Sequence, residues 1–392
     1  MRIGLIAPEL PPDLGGMAEL SRGLTLALAA TTEVVLVTLP DHGLPGADIP
    51  QYPILKGWLP RDQKQLNALA TRHRIDAWLA LNAGLAPLAR HLDKPCCSFF
   101  MGNDFLNPWI PYGAGWMERF QRPYLRPLRT HLRRAAVRRA VSDLRGLFSI
   151  SRSTSRLVSQ HLDVAPDRIE LHPPGVDDAF FQAGTAGEHS TLRMLTVARL
   201  SRYNPRKNVD GVLRALAQIS PDIRWRYTVV GGGDDLPRLR ELTEQLGIAD
   251  RVVFLGAIGR DELLSCYRRA DLFVLAARAS GKDVEGFGIV YIEAAASGVP
   301  ALASRAGGAT DAVIDGETGV VIHSSTAEAI ARGIERFAQA RHRFAPDTVR
   351  AFAERFRWAK IAAGVRHSLQ GKLAGRSAAA AHPAERASER VA

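Results

Sequence analysis

Short apolar runs alternate with longer amphipathic stretches along most of the chain. In the first half, the run RIGLIA at Arg2–Ala7 predicts a strand, and the apolar spacing over Met17–Ala30 predicts a helix. Further strands are predicted at Glu33–Pro40, Ala77–Asn82, Cys96–Met101 and Leu147–Ile150. Nearly all-apolar strands separated by helices are typical of a parallel sheet that is covered on both faces. The first half is therefore predicted to be a doubly wound α/β domain.

The same alternation begins again after a hinge at ELHPPGVDDAFF. Strands are predicted at Arg193–Leu200, Trp225–Gly232, Arg251–Gly256, Leu272–Ala277 and Val299–Ser304. Helices are predicted at Val209–Gln218, Leu236–Leu246, Arg260–Arg269, Ile289–Ser297 and Ala327–Ala340. Two such domains in tandem are expected to bind a ligand in a cleft at the carboxyl ends of their strands.

These patterns divide the chain into four segments. The predicted domains are residues 1–170 and 171–355, followed by a helix over 356–373 that packs back across the hinge. The alanine-rich residues 374–392 are predicted to be a disordered tail.

Length, charge and cysteine content narrow the class of protein. A chain of 392 residues with 46% hydrophobic residues can fill two cores. The three cysteines suggest neither a disulfide framework nor a zinc site, and the N-terminus reads as a strand rather than a signal peptide, so a cytoplasmic location is expected. The formal net charge of +11 predicts an anionic partner. No nucleic-acid-binding motif is present, which favours an anionic substrate or an acidic membrane surface over nucleic acid.

The most informative motif is EGFGIVYIE, which runs from Glu285 to Glu293. A glycine-rich turn that opens a helix leaves unpaired backbone N–H groups at the helix N-terminus, where a phosphate binds well. Backbone groups of Phe287, Gly288, Ile289 and Val290 would form this phosphate site. One carboxylate stands on either side of the turn, so a diphosphate with a polyol at each end, such as a nucleotide-sugar, could meet both.

A lone pair of glutamates at this spacing is usually a solvated helix surface. Here the motif is followed by SGVPALAS, a helix stop and a buried strand, and then by Gly307-Gly308 opening a short helix. The whole run closely resembles the donor site of the family 4 retaining glycosyltransferases. This resemblance extends from Met1 to about Leu373 and implies the GT-B fold of two facing Rossmann-like domains.

Two cations in the second half belong to the same resemblance. Arg199 closes a predicted strand, and Lys207 precedes a helix, so both can neutralise a diphosphate leaving group; Arg206 is a second candidate. The alternative is a solvated basic loop. The chain contains no Asp-x-Asp and no cluster with metal-ligand spacing, so neither a metal nor another cofactor is predicted.

Other donor contacts rest on weaker signals. Gly15-Gly16 resembles the glycine loop of the family, although a structural turn explains it as well. Ala257 and Ile258 are candidate nucleobase contacts by resemblance only. The glycines at 231–233 are interpreted as the turn after a core strand.

One element departs from the family pattern. Where the family often has a histidine in H-G-x-D, this chain has Met101-Gly102-Asn103-Asp104. Asp104 is the predicted replacement, as a catalytic group that contacts the sugar or the acceptor. The alternative is that Asp104 caps the following turn.

An arginine cluster with aromatic neighbours extends from Arg119 to Arg139. Pro123 and Pro127 interrupt it, so one continuous helix is predicted only after Pro127. Basic and aromatic residues together suit an anionic membrane surface, and a solvated helix whose stems cover the core is an equal alternative.

The resemblance implies a retaining, metal-independent hexosyltransferase with a nucleotide-sugar donor. Glu285 would bind the donor sugar and stabilise an oxocarbenium-like state, and Glu293 would bind the ribose. The acceptor would be a sugar, a lipid-linked molecule or a small molecule of cell-surface polysaccharide, lipopolysaccharide or glycolipid synthesis, and the enzyme would be cytoplasmic or peripheral on the inner face of the membrane. The alternatives are a sugar-nucleotide epimerase or phosphorylase-like enzyme on the same fold, and a non-catalytic binding module.

Overall fold

In the computed structural model, the described residues are 1–13, 15–108, 126–182, 190–202, 205–278 and 285–380, with side chains to residue 374. They form two compact units, each around its own parallel sheet. The first unit contains Met1–Ile150, Thr154–Pro173 and the chain from Trp358 onward. The second contains Ser151–Ser153 and Pro174–Arg357.

The first unit is built on a sheet whose strands are buried because apolar side chains cover both faces. Its strands are β1 (Arg2–Ala7), β2 (Glu33–Thr38), β3 (Gln51–Tyr52), β4 (Ala77–Ala80), β5 (Cys96–Phe100), β6 (Gly146–Ser149) and β7 (Ile169–Leu171). Within the described residues the order is β3-β2-β1-β4-β5-β6-β7, and neighbouring strands are parallel. Its helices are α1 (Gly16–Ala29), α2 (Leu59–His73), α3 (Arg126–Ala140) and α4 (Arg152–Leu162), with a 3-10 segment at Ala83–His91; the first two residues of α4 are grouped with the second unit. Trp78 and Phe100 are fully buried in the core between sheet and helices.

The second unit repeats this architecture. Its strands are β8 (Leu192–Val197), β9 (Trp225–Val230), β10 (Val252–Gly256), β11 (Leu272–Leu275), β12 (Ala301–Ser304) and β13 (Gly319–Ile322), in the order β10-β9-β8-β11-β12-β13 among the described residues. Its helices are α5 (Val209–Leu216), α6 (Leu236–Gln245), α7 (Arg260–Arg269), α8 (Ile289–Ala296), α9 (Ala309–Ala312), α10 (Ala327–Gln339) and α11 (Pro346–Ala353). Strands β8 and β11 are neighbours, so the loops that follow them meet at the same edge of the sheet.

The last helix, α12 (Trp358–Ala380), belongs to the first unit and packs on α1. The Trp358 ring lies so close to Gly23 that a Cβ there would be 2.1 Å from it, which makes glycine necessary. The helix continues past residue 373 into the stretch predicted as a tail, because alanine is the strongest helix former. The rest of that tail, from residue 381, lies outside the described residues, as do Arg119 and Arg122 of the predicted arginine cluster.

The strands and helices predicted from apolar periodicity are present, with ends within a few residues of those observed. Sequence reasoning missed α2, α11 and the strands β3, β7 and β13. Helix α2 is strongly polar, and only a few residues such as Leu66 and Ala70 face the core. Strands β3 and β7 are edge strands of two and three residues, too short to show an alternating pattern.

Candidate functional site

A largely buried ion pair marks the carboxyl edge of the second sheet. The Nζ atom of Lys207 lies 2.6 Å from Oε2 of Glu285, and the two side chains are 23% and 8% exposed. Burial raises the pKa of Glu285, but the charges of Lys207 and Arg206 and the hydrogen bond from Lys207 lower it more, so the net pKa is below its usual value. Glu285 is therefore an ionised carboxylate at neutral pH, next to cations.

Asn208 fixes the position of Lys207. Its backbone is in the left-handed region, with φ of 55°, and its buried Nδ2 donates to the carbonyl oxygens of Ala276 at 2.8 Å and Ser325 at 2.9 Å. These bonds tie the turn before α5 to the ends of β11 and β13. Sequence reasoning missed Asn208. The available signal was an asparagine directly before an apolar helix, a residue type that tolerates positive φ.

A second contact joins the loops after β8 and β11. The Arg278 N–H donates to the carbonyl oxygen of Arg206 at 2.8 Å, and the Arg278 guanidinium lies 3.2 Å from Asp210. The residues on both sides of Lys207 are therefore fixed, Arg206 by the Arg278 N–H and Asn208 by its own side-chain hydrogen bonds.

The turn that carries Glu285 is held by close backbone packing. The Gly308 N–H donates to the carbonyl oxygen of Glu285 at 2.8 Å, and a Cβ on Gly307 or Gly308 would lie 2.1 Å from the carbonyl oxygens of Glu285 and Gly286. Phe287 is buried against the ring of Phe356. The glycine pair predicted to open a short helix thus also supports the turn.

The turn ends at the N-terminus of α8. Gly288 is the N-cap residue, with φ of +88°, and as a glycine it supplies no side-chain cap to the helix. The N–H groups of Ile289 and Val290 belong to the first turn, where the helix supplies no acceptor, and the helix dipole adds positive potential. This arrangement can bind an anion beside Lys207.

Glu293 lies farther along α8 and has a buried partner. The hydroxyl of Tyr267 donates to Oε2 of Glu293 at 2.7 Å. Burial and the neighbouring Glu293 raise the pKa of Tyr267 well above its usual value, so the phenol stays protonated as a donor. Sequence reasoning did not identify Tyr267, because a tyrosine on an amphipathic helix reads as a core residue.

Arg199 follows β8 and has an exposed side chain that takes no part in the Lys207–Glu285 pair. Its backbone is fixed by its neighbours, since the Ala198 and Leu200 N–H groups donate to Val230 and Gly232. The glycine run 231–233 is the turn after β9, as interpreted from the sequence.

The remaining predicted donor contacts lie in two places. Ala257 is exposed and Ile258 half-buried directly after β10, where the Gly256 carbonyl accepts from the Gly231 N–H at 2.7 Å. Gly15 and Gly16 are exposed at the N-terminus of α1, in the first unit.

Asp104 is buried in the first unit after β5. Its Oδ2 accepts from the Ala83 N–H at 2.8 Å and its Oδ1 from the Met101 N–H at 3.0 Å. Burial raises the pKa of Asp104 to about 6, although these backbone hydrogen bonds act in the opposite direction. Both carboxylate oxygens therefore accept hydrogen bonds from backbone that precedes Asp104 in the chain, and the catalytic role and the capping of the following turn both stay predictions.

Helix α3 carries the described part of the arginine cluster. Val137 and Ala140 are buried, while Arg138 and Arg139 are exposed.

Across the described chain, no helix combines the length and apolar character that crossing a bilayer requires. No three His, Cys, Asp or Glu side chains of the described ranges could jointly hold a metal ion.

Two family profiles match the chain. Residues 14–180 match the profile described as Glycosyltransferase Family 4, and residues 190–355 match Glycosyl transferases group 1.

Curated relatives match about half of the chain. A GDP-mannose-dependent alpha-(1-6)-phosphatidylinositol monomannoside mannosyltransferase from Mycolicibacterium smegmatis is 38% identical over 215 residues, which are 51% of this chain and 55% of the relative. A D-inositol 3-phosphate glycosyltransferase from Acidothermus cellulolyticus is 33% identical over 233 residues, 55% of this chain and 50% of the relative. The chain thus aligns with about half the length of these relatives.

The fold also matches known structures. HepE from Anabaena, solved in complex with UDP, superposes with a TM-score of 0.73 at 19% identity, over 94% of this chain and 99% of HepE. The two profile matches assign the family, and the parallel sheets of both units together with this similarity assign the fold. The chain belongs to the family 4 glycosyltransferases and has the GT-B fold.

Proposed function

We propose that this protein is a retaining glycosyltransferase that moves a sugar from a nucleoside-diphosphate sugar to an acceptor. The observation that carries the proposal is the largely buried pair of Lys207 and Glu285 beside the N-terminus of α8, whose N-cap residue is Gly288. A cation, a carboxylate and the N–H groups of a first helical turn together suit a ligand with a diphosphate on one side and sugar hydroxyls on the other.

Each side chain has a role that follows from its charge and neighbours. Lys207 and the N–H groups of Ile289 and Val290 bind the diphosphate, and the exposed guanidinium of Arg199 adds a second cation. Glu285 accepts hydrogen bonds from the donor sugar and stabilises the positive charge that develops on it. Glu293, held by Tyr267, accepts from the ribose hydroxyls.

The reaction that these groups support is a transfer on one face of the sugar. The bond from the anomeric carbon to the phosphate oxygen breaks, and the acceptor oxygen bonds to the same face. The acceptor proton passes to the departing phosphate, and the nucleoside diphosphate leaves. Lys207 and the helix N-terminus stabilise the leaving charge, so the proposed reaction needs no metal.

The relatives suggest which substrates to try first. GDP-mannose is the donor named for the mycolicibacterial relative, and inositol-containing acceptors are named for both relatives. We propose a glycolipid or polysaccharide acceptor that is bound by the first unit. The arginines of α3 would hold that unit on the acidic inner surface of the membrane.

The test compares variants of the two proposed phosphate contacts with a matched control. Lys207→Ala and Arg199→Ala should each weaken GDP and UDP binding and nearly abolish transfer, because each removes a charge-assisted contact. Arg214→Ala changes an exposed arginine on α5 by the same charge and should bind and react like the wild type. Calorimetry with GDP and UDP and transfer from a panel of nucleotide-sugars measure both effects. Unchanged diphosphate affinity in both site variants would refute the assignment.

A further inference from the structure

A basic cavity in the first unit has no role in the donor site. It lies between α3 and the loop after β5 and has a volume of ≈ 280 Å³. The residues that line it are Asn107, Pro108, Arg126, Arg129, Thr130 and Arg133. The described lining thus combines three guanidinium groups with one hydroxyl and one amide, and contains no carboxylate.

The cavity is built by helical spacing. Positions 126, 129, 130 and 133 lie on one face of α3, because residues three, four and seven apart are neighbours along a helix. The buried Val137 and Ala140 anchor the helix and set which face turns toward the loop.

The opposite wall is fixed to the same helix. Nη1 of Arg133 donates to the Pro108 carbonyl oxygen at 3.1 Å. Nη2 of Arg134 donates to Oδ1 of Asn107 at 2.8 Å, and its Nε donates to the Leu106 carbonyl oxygen. The loop and the helix therefore hold a preformed space between them.

The chemistry of the lining suits a phosphate. Helix α3 contains six arginines and no acidic residue, so its face has a strong positive potential. Arginine forks match the paired oxygens of phosphate, and a threonine hydroxyl adds a neutral donor. The volume is at the small end of ligand pockets, which suits one phosphate with part of an attached polyol.

From these observations we infer that the cavity binds a phosphate group of the acceptor, as a phosphomonoester or a phosphodiester. The identification of the ligand as the acceptor rests on the proposed function. The proposal that the cavity binds an anion does not. The phosphate can come from a soluble polyol phosphate or from a phospholipid headgroup, and both present the same oxygens to the arginines.

The test uses the full chain and two charge-matched double variants of α3. Arg126→Gln with Arg129→Gln removes two cations from the cavity and keeps Arg133, whose contact with Pro108 supports the loop. Arg138→Gln with Arg139→Gln removes two exposed cations of the same helix outside the cavity lining. Both variants lower the net charge equally, so nonspecific electrostatics affect them alike.

The first measurement is calorimetric titration with inorganic phosphate and with myo-inositol 1-phosphate, and the second is co-sedimentation with phosphatidylinositol vesicles. The cavity variant should lose about tenfold or more in affinity for its phosphate source relative to the control, whose loss on vesicles is limited to the nonspecific attraction of two exposed charges. A loss with the soluble phosphates identifies a soluble acceptor. A loss confined to vesicles identifies a lipid headgroup. Equal affinity in all three proteins, or equal loss in both variants, overturns the inference.

Donor chemistry is measured separately, so the two proposals can fail independently. Phosphate binding that depends on the cavity, with no sugar transfer from any nucleotide-sugar, would refute the proposed function and leave the anion site. Normal transfer by the cavity variant, with an unchanged KM for a phosphorylated acceptor, would refute the inference alone.

Discussion

Replacing Lys207 with methionine tests the buried ion pair at the centre of the proposed donor site. Methionine keeps much of the length of lysine but leaves Glu285, which is 8% exposed, without the ammonium that lies 2.6 Å away. Removing one partner of a buried pair costs about 3–5 kcal/mol. Lys207 is partly exposed and Arg206 also stabilises the carboxylate, so we expect about 3 kcal/mol, the lower end of that range.

In a melting experiment this cost should lower the Tm of the transition that reports the second unit by roughly 6–12 °C. A second substitution separates charge from packing. Glu285→Gln added to Lys207→Met removes the stranded charge, so the double variant should be more stable than Lys207→Met alone. The exposed Lys360 supplies a control, because Lys360→Met changes the same residue type and should leave the Tm unchanged.

The pH dependence follows from the pKa of Glu285. In the wild type this pKa lies below 4.5, so the stabilisation is present above pH 4.5 and is lost as the pH falls through the folded-state value. Without Lys207, burial raises the pKa of Glu285, and Lys207→Met should regain stability as the pH falls. The Tm gap between wild type and variant is therefore largest at neutral pH and narrows toward acid. The reasoning would be refuted if the double variant were no more stable than Lys207→Met at pH 7. It would also be refuted if the Tm difference between wild type and Lys207→Met did not change with pH.

Tyr267→Phe should weaken nucleoside diphosphate binding about 2- to 10-fold by removing the hydrogen bond to Glu293. Calorimetry should show no such loss for the 2′,3′-dideoxynucleoside diphosphate, which lacks the ribose hydroxyls. An equal loss for this compound and for the normal nucleoside diphosphate would contradict a role of Tyr267 through the ribose. The pKa of Asp104 is raised to about 6, so its contribution to the stability of the fold is complete below pH 3.8 and is lost as the pH rises through 6. The Tm advantage of wild type over Asp104→Asn should therefore grow from pH 7 to pH 5. A constant Tm difference together with a tenfold lower kcat would instead assign Asp104 to catalysis. Transfer should continue in EDTA, since cations and N–H groups bind the diphosphate; activity lost in chelator and restored by magnesium or manganese would show that a metal is needed.

Local patterns were sufficient to predict ten of the thirteen described strands and the turn that opens α8. Strands such as β1 and β12 are apolar throughout because both faces are covered, and this leaves a signal in a few consecutive residues. The turn from Glu285 to Gly288 is also local, since glycine and a following helix are visible in the sequence. Polar α2 and the short edge strands β3 and β7 lack such a signal, because neighbours far along the chain determine whether they form.

Partners within the candidate site depended on tertiary structure. Lys207 and Glu285 are 78 residues apart and pair because β8 and β11 are adjacent in the sheet, which brings their following loops together. Asn208 supports Lys207 through carbonyl groups of two other loops, and Tyr267 reaches Glu293 from another helix. The sequence by itself determined the residue types, the periodicity of each element and the turn that opens α8. Only the tertiary structure decided which charges pair, which polar groups are buried and where the arginines of α3 enclose a cavity, because strand order and helix packing set those distances.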